Sequence, residues 1–292
     1  MIIGLIDVDG HNFPNLALMK ISAYHKADGD TVEWWNSFKH YDIVYKAKVF
    51  TAEYTEDEQT VIDADTVIQG GTGYGLKNIL PSDIEHLYPD YSLYNITDTA
   101  YGFLTRGCPR GCKFCIVGEK EGLKSYKVAD LSNFWHDQKE IKLLDPNITA
   151  CADCNDLLKD LAKSNAWIDF TQGVDIRFMT DEMVIYFNSI KTKMLHFAWD
   201  NYEFNTYEKL KQFRPLFKID GRRLRVYVLT NFNTTHEQDI ERVMKLRELD
   251  YDPYVMIYNK KSAPVETKHT ARWVNNKLIF RKCNRFEDYV NK

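Results

Sequence analysis

The first 107 residues contain no cysteine, and the whole chain of 292 holds only six. That excludes a disulfide-stapled scaffold. No apolar stretch approaches the roughly 20 residues that a membrane helix needs, so no membrane partner is expected. The opening Met1-Ile2-Ile3-Gly4-Leu5-Ile6-Asp7 lacks the basic start and long apolar stretch of a signal peptide. Positive charge is not in excess. A net charge of −4 excludes a general polycation for nucleic acid but not a local basic patch. Repeats and low-complexity tracts are absent. What remains is 44% hydrophobic and 27% charged, the balance of a globular protein long enough for two domains. The expected location is cytoplasmic, where thiols stay reduced and clustered cysteines suggest metal or redox chemistry.

The chain has two halves with different patterns. Residues 2–9 read as a buried strand with an acidic end, and 15–27 as a helix with Leu16, Leu18, Met19, Ile21 and Tyr24 at helical spacing. Further strands are expected at 31–35, 41–46 and 66–69, the last running into Gly70-Gly71-Thr72-Gly73-Tyr74-Gly75. That stretch is neither a dinucleotide fingerprint nor a phosphate loop, and reads as a tight loop at the carboxyl edge of a sheet. The fold class is therefore α/β, with a small Rossmann-like parallel sheet over residues 1–95.

Residues 96–260 suggest six strands, at 101–105, 141–144, 167–175, 194–199, 224–229 and 254–257. Helical patterns at 153–163, 181–188, 206–213 and 236–248 lie between them. This predicts a partial (β/α)6 barrel of the TIM type, whose sites sit at the carboxyl ends of its strands. Residues 261–292 read as a C-terminal extension packing on that barrel, with Arg272, Trp273 and Arg285 closing its floor or touching substrate.

Cys108, Cys112 and Cys115 follow the first of these strands as C-x3-C-x2-C, in Arg106-Gly107-Cys108-Pro109-Arg110-Gly111-Cys112-Lys113-Phe114-Cys115. A zinc site wants a fourth ligand, and the next His or Cys is His136. A redox dithiol needs only two thiols. Three thiolates suit a [4Fe–4S] cluster with one iron left open. Gly107 and Gly111 let the loop turn closely, and nearby cations offset the negative charge of a thiolate-bound cluster. Cys151, Cys154 and Cys283 read as packed thiols, because free cysteine is a common buried residue; a second cluster or zinc site built from them stays open and would need one more ligand.

CPRGCKFC resembles the signature loop of the radical S-adenosylmethionine (radical SAM) superfamily, and residues 100–260 have the length and order of that family's core. The resemblance implies a [4Fe–4S] cluster on Cys108, Cys112 and Cys115. It also implies S-adenosylmethionine as cofactor, cleaved with one electron to a 5′-deoxyadenosyl radical. Phe114 stands where the family places an aromatic beside adenine. Asp145, in Leu144-Asp145-Pro146-Asn147, stands where many members bind the SAM amino group; as plain residues, these four are also good turn chemistry. Gln172, Asp175 and Arg177 are polar positions in or just after the third strand, where Arg177 can grip the SAM carboxylate or simply form an ion pair with Asp175. Asp200 is a candidate for a ribose hydroxyl or a helix cap, and Thr230 for adenosine. A one-electron reductant such as flavodoxin or ferredoxin is implied. The substrate is not legible, though an open six-strand barrel mildly favours a macromolecule.

The front domain resembles that of the cobalamin-binding (B12-binding-like) subfamily. Asp9 and His11 fit a D-x-H-x-x-G pattern, while Pro14 stands in place of its glycine. Cobalamin and a cobalamin-dependent methyltransferase therefore stay open as an alternative. The absence of cysteine from the front domain argues against methylthiotransferase-like sulfur insertion. The remaining alternative is a non-catalytic iron–sulfur or zinc module, with Arg222-Arg223-Leu224-Arg225 and Lys260-Lys261 tracking nucleic-acid phosphates.

Overall fold

The computed structural model describes residues 1–10, 13–202 and 205–290. The first sheet has four strands, β1 (Ile2–Asp7), β2 (Thr31–Trp34), β3 (Tyr41–Ala47) and β4 (Ala64–Gly70), in the order β2-β1-β3-β4 and all parallel. Parallel strands need covered faces. Helix α1 (Leu16–Ala27) brings Leu18 and Ile21 against Ile3 and Leu5, while Ile6, Tyr41 and Val44 form a second cluster. Asn15 caps α1, its side chain accepting from the Ala17 and Leu18 N–H groups, and Gly29 ends the turn beyond it at φ +82°. The glycine run after β4 is a tight loop at the carboxyl edge, as expected. Gly71 has φ +93°, and side chains at Gly71 or Gly73 would strike the Lys48 and Phe50 carbonyl oxygens. The short helix α2 (Ser82–Glu85) follows.

A second sheet runs β12-β11-β10-β9-β8. Its strands are β8 (Glu140–Leu143), β9 (Trp167–Phe170), β10 (Thr192–Ala198), β11 (Leu224–Thr230) and β12 (Asp252–Ile257), paired in parallel, and the short strand β5 (Thr99–Gly102) precedes them in the chain. Helices α4 (Cys154–Ser164), α5 (Asp181–Ser189), α6 (Thr206–Phe213) and α7 (His236–Glu248) fall between strands from β8 to β12. Between β5 and β8 lie a small antiparallel pair, β6 (Thr105–Arg106) with β7 (Tyr126–Lys127), and the short helix α3 (Val117–Glu121).

Two expectations need correction. The strand expected over 167–175 stops at Phe170, because Thr171-Gln172-Gly173 turns away with Gly173 at φ +121° and Ile176–Phe178 forms a 3-10 turn. The strand expected over 101–105 is two, β5 and β6. The last residues are more regular than their mixed composition suggests: α8 (Val265–Asn275), α9 (Lys277–Lys282) and α10 (Phe286–Val290). Asn275 on α8 bonds both the N–H and the C=O of Val255 on edge strand β12, at 2.8 and 2.9 Å. Lys277 donates to the carbonyl of Pro253, the edge residue with no N–H to offer. Trp273 is fully buried and donates to the Cys283 carbonyl, so it is core rather than a substrate contact.

The chain divides into two compact units. One is Met1–Gly102 with Arg110–Leu123 and Ala129–Lys139; the other is Phe103–Pro109 with Lys124–Val128 and Glu140–Lys292. In the second unit a buried cation holds the strand ends. Arg242 of α7 donates to the carbonyl oxygens of Trp199 and Leu229, just past β10 and near the end of β11, and pairs with Asp239. Both charges are out of water, so each depends on the other. Arg242→Ala would leave Asp239 buried without its partner and is expected to cost about 3–5 kcal/mol. Urea unfolding read by circular dichroism checks this; a loss below about 1 kcal/mol would contradict it.

Candidate functional site

The three loop cysteines differ from the other three. Cys108 and Cys112 are half-buried and Cys115 is exposed, whereas Cys151, Cys154 and Cys283 are buried. Burial raises the Cys151 thiol above its ordinary pKa and pushes Cys154 up to about 12, so both favour the protonated thiol. Gly107 at φ +78° and Gly111 at φ +55° bend the backbone on either side of Cys108 and Pro109. The Cys115 N–H donates to the Cys112 carbonyl at 3.0 Å, closing a turn that carries two thiols. Phe114, between them, is half-buried.

The segment after β8 reaches towards the start of this loop. Asp145 is wholly buried, and its carboxylate accepts from the Leu104 N–H at 3.2 Å, the Thr105 N–H, and the Thr105 hydroxyl at 2.6 Å. Burial raises its pKa to about 6 despite those donors. Asn147, two residues on, is also buried. Its amide Nδ2 donates to Cys108 Sγ at 3.4 Å, and its carbonyl accepts from the Ser125 hydroxyl at 3.0 Å. The Thr149 hydroxyl lies 3.1 Å from both Asn147 Oδ1 and the Asp175 carbonyl, and accepts from the Asp175 N–H. Asp175 in turn grips Arg177 Nε and Nη2 at 2.6 and 2.9 Å. Asp175 and Arg177 thus form the ion pair that was the plainer expectation for them.

Gln172 lies elsewhere, on a cavity of about 470 Å3 lined also by Thr171, Arg225, Tyr227, Tyr254 and Met256. Arg225 pairs with Asp252 at 2.8 Å and stands over the Tyr254 ring. The Tyr227 ring stacks on His196, whose Nδ1 meets the Phe170 carbonyl at 2.8 Å. Burial lowers the His196 pKa and raises that of nearby Asp169, so both are biased to their neutral forms. Thr230 is fully buried and donates to the Met256 carbonyl, and Asp200 is half-buried beyond β10. His11 lies outside the described residues. Asp9, from the same motif, accepts from the N–H groups of Val49 and Phe50.

Sequence reasoning missed Asn147, His196, Tyr227 and Tyr254. For Tyr227 the signal was present: in Leu224-Arg225-Val226-Tyr227-Val228, polar and aromatic residues alternate with apolar ones, which marks one face of a strand as lining something. Asn147 gave no such signal, because Asp-Pro-Asn is ordinary turn chemistry.

No family model matches the sequence, and no curated protein matches it. Among solved structures, the fold is similar to that of TsrM from Kitasatospora setae, a radical S-adenosylmethionine methyltransferase with cobalamin and a [4Fe–4S] cluster bound. The TM-score is 0.63 at 10% identity, over 88% of this chain and 74% of that one. At this identity the likeness concerns the fold. At that level it agrees with the resemblance drawn from the cysteine motif and the front sheet. No described helix is long and apolar enough to cross a membrane.

Asp145 makes a test of the electrostatics. A carboxyl with a raised folded pKa contributes stability below its unfolded pKa and loses it as pH rises through the folded one. From an ordinary value of 3.8 to about 6, the loss between those pH values is on the order of 3 kcal/mol. Asp145→Asn is expected to remove that slope. Denaturant midpoints at pH 4, 5, 6 and 7 check it; parallel curves for the two proteins would contradict it.

Proposed function

We propose that this chain is a radical SAM enzyme holding one [4Fe–4S] cluster on Cys108, Cys112 and Cys115. The observation that carries the reading is the contrast between its cysteines: three accessible thiols on one glycine-bent loop, three others packed away. The donor set fits the group. Three thiolates leave one iron open, and a buried amide N–H already addresses one sulfur. When bound, the cluster supplies one electron to S-adenosylmethionine, which yields methionine and a 5′-deoxyadenosyl radical. The chain's own part is to position and shield.

On this reading residues 1–95 are a Rossmann-like domain, 96–260 a partial (β/α)6 barrel and 261–292 its extension. Phe114 faces the adenine. Gln172 and the cavity wall of Arg225, Tyr227 and Tyr254 take S-adenosylmethionine or substrate. Asp145 and Thr230 are spent on the protein's own backbone and serve as supports. Asp175, Arg177 and Asp200 remain candidates for the polar ends of S-adenosylmethionine. A flavodoxin- or ferredoxin-like reductant in the cytoplasm supplies the electron.

Cobalamin-dependent methyl transfer is the second reading. It is favoured by the likeness to TsrM, whose structure has cobalamin bound and which matches 88% of this chain. A corrinoid absorbance on the purified protein would select it.

The test is anaerobic reconstitution with iron and sulfide, then dithionite and S-adenosylmethionine, with 5′-deoxyadenosine and methionine measured. The wild type is expected to form 5′-deoxyadenosine. The Cys108/Cys112/Cys115→Ala triple variant is expected to form none. A well-formed four-iron cluster that leaves S-adenosylmethionine intact with several reductants would overturn the enzyme reading in favour of a binding module.

A further inference from the structure

We infer that Asn147 is a positioning residue that sets the reduction potential of the cluster, through its hydrogen bond to Cys108 Sγ. The inference rests on the reading of Cys108 as a cluster ligand. It goes beyond that reading by assigning a role to a residue that binds neither iron nor S-adenosylmethionine.

The argument begins with burial. Asn147 is only 2% exposed, so water cannot replace its amide donor. A buried N–H needs an acceptor, and the acceptor of Asn147 Nδ2 is the Cys108 sulfur at 3.4 Å. The amide orientation has a physical cause. Oδ1 faces the Thr149 hydroxyl at 3.1 Å and Nδ2 faces the sulfur, the orientation that a deprotonated Cys108, able only to accept, also requires. Thr149 is itself held by the Asp175 N–H. The Asn147 main chain is fixed by the Ser125 hydroxyl. The donor is therefore anchored at both ends, and Ser125 directly precedes β7, the partner of β6, which leads into Cys108.

The chemistry follows from charge. One-electron reduction adds negative charge to a cluster and its thiolates. A fixed N–H dipole aimed at a thiolate sulfur stabilises that added charge more than it stabilises the oxidised form, and so raises the potential. Removing the donor therefore lowers the potential. Asn147→Leu keeps the approximate volume and loses the N–H. Thr149→Val keeps Asn147 but removes the hydroxyl that faces its amide oxygen.

The experiment compares the wild type, Asn147→Leu and Thr149→Val as full-length chains. Each is checked for fold by circular dichroism and for iron content after reconstitution. The midpoint potential is then read by a redox titration followed by electron paramagnetic resonance, without S-adenosylmethionine. The expected result is a lower midpoint for Asn147→Leu. At a fixed solution potential its reduced-to-oxidised ratio falls about tenfold, equivalent to about 59 mV for one electron. Thr149→Val shifts the same way by less. An unchanged midpoint in Asn147→Leu, with four irons bound, overturns the inference and leaves the cluster reading intact. If Asn147→Leu does not fold or load, Thr149→Val decides by the same criterion. A wild type that binds no four-iron cluster overturns the cluster reading, and the inference with it.

Discussion

Asp145 accepts hydrogen bonds from two consecutive residues, Leu104 and Thr105, and the course of the chain into the cysteine loop depends on that clamp. The loop carries two glycines at positive φ and a proline, and its start is fixed from outside it. A buried carboxylate with three donors does this more firmly than apolar packing, because its hydrogen bonds are directional and strengthened by low dielectric. The cost is visible in the raised pKa: burial outweighs the donors. Pro146 then carries the chain on, and Asn147 reaches the first cysteine from the same segment.

A similar arrangement recurs further along the second sheet. Arg242, buried in α7, gathers carbonyl groups from the ends of two strands. Thr230 bonds the Met256 carbonyl across the next pair. Carboxyl ends of parallel strands expose C=O groups that the ladder no longer satisfies. Here they are taken by fixed side-chain donors rather than left to solvent. The polar residues near the candidate site thus fall into two groups. Some secure the rim, and others, such as Gln172, Tyr227 and Tyr254, face the cavity.

This division explains what was legible in the sequence. Strand and helix positions were readable because parallel strands covered on both faces form short apolar runs, as in Ile2–Asp7, and helices such as His236–Glu248 have clear caps and spacing. The cysteine motif was readable because chance does not produce it often. Roles were harder. Asp145 was noticed as a polar residue at a strand end, but its donors come from residues about 40 positions away, and no local pattern reveals them. Arg242 sits in His236-Glu237-Gln238-Asp239-Ile240-Glu241-Arg242, which reads as a solvated helix face, yet it is fully buried. The strand over 167–175 was drawn too long because Gly173 marks its turn after two residues, Thr171 and Gln172, that strands also tolerate.

The side chain of Asn275 has a further consequence. A primary amide offers one donor and one acceptor in nearly the geometry of a peptide group, so towards Val255 it imitates one residue of a neighbouring strand. With Lys277 on Pro253, the outer side of β12 is finished with side chains. An extended polypeptide cannot add itself there as another strand without first displacing them. Any long-chain partner of this protein must therefore be recognised through side-chain contacts or at some other surface. The same finish also guards this edge against pairing with a second copy when the protein is crowded or newly made.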